Sequence, residues 1–218
     1  MTFTFGETWR RAKSLVEGHR WHLVSILVSY FLISAVIQGG VEQVGAILFG
    51  GKHHAKDGVP GFLVFMAVDF IQTPLLMGFT QVGLDMVINQ NLDMKRMFMY
   101  YFGDLEFVVK VFGATLAVRA LTMLGFVLFI IPGLYAIAVF AVVVPVMLDD
   151  PGLSIPDAMK KSWELMGPSW LQALLVVLVQ ILSCVLCFLI LPIYWFGPLI
   201  VLLIPALWIS ASSSPVQP

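Results

Sequence analysis

Long apolar runs alternate with short polar stretches along this chain, and the runs far exceed what one face of a soluble helix requires. Six are long enough to be read as spans: Trp21 to Gly39, Gly61 to Ile88, Leu105 to Ile130, Pro132 to Leu148, Trp170 to Leu191 and Ile193 to Ile209. A bilayer core needs about 20 apolar residues per helix at roughly 1.5 Å each. The pattern therefore predicts an all-α, polytopic membrane protein, a single transmembrane domain over residues 1–218. Ile131-Pro132-Gly133 and Leu191-Pro192 leave room only for tight turns, since proline ends one helix and can open the next. The expected layout is three helical hairpins, the first joined through the longer stretch Gly40 to Pro60.

Short amphipathic stretches precede each hairpin. Arg10-Arg11 is followed by Gly18, Lys95-Arg96 by Gly103 and Lys160-Lys161 by Gly167, a weak internal repeat. Residues 1–20 make a cytoplasmic amphipathic helix with Phe5, Trp9, Ala12 and Val16 on its apolar face. In the third copy Ile155, Met159, Trp163, Met166 and Trp170 share one face. Asp157, Lys160, Lys161 and Glu164 share the other, with Asp157 and Lys161 at i,i+4 spacing and Ser154 as N-cap. Such segments anchor in the headgroup layer or recognise lipid or a partner there.

Charge sharpens the picture. Only 11% of the 218 residues are charged and 60% are hydrophobic, whereas a water-facing domain carries about a quarter charged. The last 54 residues hold no Asp, Glu, Lys or Arg. Eight basic residues (Arg10, Arg11, Lys13, Arg20, Lys95, Arg96, Lys160, Lys161) fall on one side of the predicted layout and only Lys52 and Lys56 on the other. That bias places both termini in the cytoplasm. A net charge of −1 gives no reason to expect nucleic acid, and no short signal-peptide core precedes Trp21, so a cleaved leader is not expected.

Ionisable groups within spans need a partner or a purpose. Asp69 and Arg119 fall at depths about one helical turn apart, so a contact between spans two and three is feasible, as is Asp85 with Lys110 nearer the cytoplasm. Gln72, Thr73, Pro74, Thr80 and Gln81 add polarity to span two. These groups form either an interhelical clamp or a translocation path. His53-His54 lacks a third ligand, so no metal is expected, and no cofactor-binding motif occurs. Cys184 and Cys187 lie in an apolar helix without a basic neighbour, where packing is the expected role.

Two segments carry a family resemblance. Phe126-Val-Leu-Phe-Ile-Ile-Pro-Gly-Leu-Tyr135 is followed by Leu148-Asp-Asp150, and then by Ile155 to Gly167, where Ala158, Ser162 and Gly167 fit the pattern A-x-x-x-S-x-x-L/M-x-G with Met166 before the glycine. This resembles a prokaryotic family of six-span membrane proteins of unsettled function, the domain of unknown function 975 type. It is related to the membrane domain of some glycerophosphodiester phosphodiesterases. The resemblance implies the architecture and a bacterial inner-membrane location, and it implies no activity. No soluble stretch is long enough for the phosphodiesterase's catalytic domain. The expected function is a non-enzymatic scaffold or accessory subunit that binds membrane lipid, a membrane-protein complex or a second copy of itself. A small transporter or permease using spans two and three is the alternative.

Overall fold

A computed structural model describes residues 5–49, 51, 58–89, 93–187 and 193–212. The described residues form α1 (Phe5–Leu48), α2 (Gly58–Asn89), α3 (Leu105–Leu128), α4 (Ile130–Phe140), α5 (Val143–Asp149), α6 (Ile155–Met166), α7 (Trp170–Cys187) and α8 (Ile193–Ser212). Short 3₁₀ helices at Met94–Tyr101 and Gly167–Ser169 complete them, and no strand occurs among the described residues.

Five helical runs are long and apolar enough to cross a membrane: His19–Leu48, Gly58–Asn89, Leu105–Leu128, Ile130–Asp149 and Ile155–Ser183. Large apolar side chains point outward on them, among them Leu32, Val36 and Ile47 on α1, Phe62 on α2, Leu124 on α3 and Leu175 on α7. Water would penalise such surfaces and lipid does not. The chain is a multi-pass helical membrane protein.

Several boundaries differ from those expected. The first span does not stop at Gly39, because α1 continues through Gly39-Gly40 to Leu48. Each glycine costs a helix about 1 kcal/mol, but unpaired backbone groups in lipid cost several. The bend lies instead at His19, whose φ of −131° and ψ of 19° leave the helical region and separate the basic N-terminal turns from the span. Between α3 and α4 the break is the single extended residue Phe129, not Ile131-Pro132-Gly133. Pro132 sits inside the first turn of α4, where its missing N–H costs nothing. The two helices fold back on one another where Gly125 meets Gly133; a Cβ on Gly125 would lie 2.9 Å from the Gly133 Cα.

The expected fourth span is broken into α4 and α5 at Ala141-Val142. Pro145 follows within one turn and cannot donate to the carbonyl of Ala141. Beyond Asp150 the chain reverses, and α6 packs first on α5 and then on α4, continuing through Gly167–Ser169 into α7. The main core cluster is drawn from α1, α2, α3, α5, α6, α7 and α8, with Ala138 of α4 included, and a smaller one joins Ile26 of α1 to Leu75 and Val82 of α2 around Met97.

Candidate functional site

The polar side chains of α2 are consumed one by one. Proline at position 74 removes the N–H that the Phe70 carbonyl would accept, and loosens the helix around it. The Tyr101 hydroxyl reaches across and donates to the neighbouring Ile71 carbonyl at 2.9 Å. Thr73 and Thr80 turn their hydroxyls onto the Asp69 and Leu76 carbonyls of their own helix, each at 2.8 Å. The Gln72 amide donates across to the Ser34 carbonyl of α1 at 3.3 Å.

Arg119 of α3 forms an ion pair with Asp69, and its guanidinium lies 5.9 Å from the Phe65 ring centroid. Asp69 is nearly enclosed at 14% side-chain exposure, whereas Arg119 keeps 47%. The pair joins two helices that are each long and apolar enough to cross a membrane, a setting in which an isolated charge is costly.

Asp85 does not meet Lys110. Its Oδ2 accepts from Arg96 at 2.8 Å, and its Oδ1 accepts from the Gln81 amide at 3.3 Å. Tyr100 in turn donates to Gln81 Oε1 at 3.4 Å. The reason is the path of the 3₁₀ segment, which folds back along α2 instead of leaving it. The Met97 backbone crosses directly over Gly78, where a Cβ would stand 2.1 Å from the Met97 carbonyl oxygen. Met97 itself is buried among Ile26, Leu75 and Val82. Lys110, on α3, is carried to the other side and donates to the Pro151 carbonyl at 3.0 Å. Burial, followed by the Asp85 charge, raises the Tyr100 hydroxyl above its ordinary 10.0, with Arg96 opposing. Burial likewise raises Tyr101. Both stay protonated donors at neutral pH.

The three dibasic segments share one docking rule that the sequence repeat only hinted at. The residue after each basic pair is buried: Ala12, Met97 and Ser162. In α1 the buried line is Thr8, Ala12 and Val16, with Arg10, Arg11 and Lys13 exposed. The Phe5 backbone N–H, otherwise an orphan at a helix start, donates to Gln172 Oε1 of α7 at 2.8 Å.

In α6 the buried line is Ala158, Ser162 and Met166. Trp163 therefore lies at the edge of the docked face, 51% exposed, and not in its centre as the apolar periodicity predicts. Close helix approach selects small residues, so a tryptophan is turned outward. The buried Ser162 hydroxyl donates at 2.7 Å to the Val139 carbonyl, the group freed where α4 breaks from α5. Lys161 turns inward over the Trp208 ring at 5.9 Å, Lys160 stands 3.9 Å from Glu164, and the Ser154 hydroxyl caps Asp157. The expected Asp157–Lys161 pairing is replaced by these contacts.

Among the described residues no group of three or more His, Cys, Asp and Glu side chains could hold a metal. His53, His54, Lys52 and Lys56, and the side chains of Cys184 and Cys187, lie outside the described residues. The fold and these contacts define a multi-pass helical membrane protein whose buried polar groups join helix to helix. No family model, no curated protein and no solved structure matches the chain.

Proposed function

We propose that this chain is a non-enzymatic integral membrane scaffold, six-span and built as three hairpins. It sits in a bacterial inner membrane with both termini in the cytoplasm, and holds membrane lipid or a membrane-protein partner at its cytoplasmic face. One observation carries the reading: polar groups on α2 and α3 are spent on helix-to-helix and helix-to-backbone bonds, while the basic segments turn apolar side chains outward. Phe102 is 91% exposed at the end of the segment that carries Lys95 and Arg96, and Trp163 is exposed one helical turn from Lys160. Aromatic and basic groups together suit the headgroup layer. The family resemblance at Phe126 to Gly167 supports the six-span layout.

The half-exposed Arg119 guanidinium favours a second reading, a small transporter that uses the Asp69–Arg119 pair. Capture of the tagged chain from native membranes in a mild detergent, alongside flux assays in proteoliposomes, separates the two. The scaffold reading expects a stoichiometric membrane partner or tightly held lipid, and wild-type flux no different from that of Asp69→Asn. Solute or proton flux that Asp69→Asn abolishes would sink it.

A further inference from the structure

Between the end of α4 and the outer face of α6 lies a groove of about 490 Å³, lined by Phe140, Met159, Lys160, Trp163 and Glu164. Its walls are almost wholly apolar, and its size falls in the range of small-molecule sites. At its edge Lys160 and Glu164 stand one helical turn apart, their charged atoms 3.9 Å from each other and both largely exposed. The Trp163 indole is held edge-on by Tyr135 at 5.6 Å and Phe140 at 6.3 Å, which fixes one side of the groove.

We propose that this groove binds one amine-bearing phospholipid of the phosphoethanolamine type. The inference rests on the lipid-holding part of the function proposed above and names its ligand. An apolar wall ending in a charge pair is complementary to an amphiphile, with acyl chain against Phe140 and Met159 and headgroup at the pair. A lone cation would select anionic lipid, but Glu164 beside Lys160 repels a net negative headgroup. A headgroup carrying a phosphate and, two carbons away, a primary ammonium satisfies both residues at once. Lys160 donates to the phosphate, Glu164 accepts from the ammonium, and the exposed Trp163 ring supplies a face for the cation. A choline headgroup offers no N–H to Glu164 and so loses that bond.

The test is native mass spectrometry of the full chain in mild detergent, with equimolar phosphatidylethanolamine, phosphatidylcholine and phosphatidylglycerol of identical acyl chains. Retention of the ethanolamine lipid about three- to fivefold over the other two is expected, the scale of a well-placed exposed ion pair. Glu164→Gln abolishes that preference, and Lys160→Gln lowers retention of all three lipids. Both positions are exposed, so neither change unfolds the protein. Met159→Trp, which fills the groove and leaves the charges in place, lowers retention of every lipid. Water-soluble phosphoethanolamine at equal concentration does not displace the bound lipid.

Equal retention of ethanolamine and glycerol lipids by the wild type overturns the proposal. So does a preference that survives Glu164→Gln, unchanged binding by Met159→Trp, or displacement by the soluble headgroup. Unselective lipid retention with a stoichiometric partner still captured would remove this site and leave the scaffold function standing.

Discussion

Asp85 and Arg96 show how unequal the two ends of one ion pair can be. The carboxylate is enclosed, with 10% of its side chain exposed, while the guanidinium keeps 46% and can turn to water when its partner is lost. Asp85→Asn therefore leaves a solvated cation and costs about 1 kcal/mol. Arg96→Gln strands a buried charge and costs about 3 kcal/mol. Unfolding titrations in mixed micelles should rank the two in that order. A reversed ranking would show that Arg96, not Asp85, carries the desolvation cost. Lys110→Gln, which removes an exposed hydrogen bond to the Pro151 carbonyl, should fall below both.

At the scale of elements, the 3₁₀ segment Met94–Tyr101 is the feature least expected from its composition. It docks because Gly78 offers α2 backbone with no Cβ in the way, and because Met97 fills a gap between α1 and α2. Gly78→Ala forces that crossing apart, at a cost of about 2 kcal/mol. It should also release Arg96 from Asp85. Limited trypsin digestion reads this as faster cleavage after Lys95 and Arg96, with Gly6→Ala, which meets nothing within 4 Å, as the unaffected control. Equal cleavage in the two variants would show that the segment is held by something other than this crossing. The break between α4 and α5 follows the same logic, since Pro145 leaves the Ala141 carbonyl without its helical donor and Ser162 donates to the nearby Val139 carbonyl at the end of α4.

For the whole molecule, orientation is the property with most consequence. The proposed function needs Lys160 on the cytoplasmic side and Lys52 on the opposite one, the orientation that the eight-to-two bias of basic residues predicts. Single cysteines at these two positions, in a chain with Cys184 and Cys187 replaced by serine, should react with an impermeant maleimide from opposite faces of sealed vesicles. Labelling of both from one face would break the six-span arrangement and with it the shared cytoplasmic face on which the proposed function rests.

The membrane-spanning helices were legible in the sequence because lipid imposes one simple demand. Every backbone group must be bonded within its own helix, and the side chains must be apolar for about 20 residues. Arg119 and Asp69 could be matched by depth, since two charges in lipid seek each other. What composition could not reveal is where close approach happens. Gly78, Ala158 and Ser162 carry no hydrophobic signal that marks them as contact points, yet they decide that Asp85 meets Arg96 and that Trp163 faces outward. Periodicity ranks residues by how hydrophobic they are, whereas helix contact in a bundle ranks them by how small they are. That second ranking exists only once the partner helix is in place.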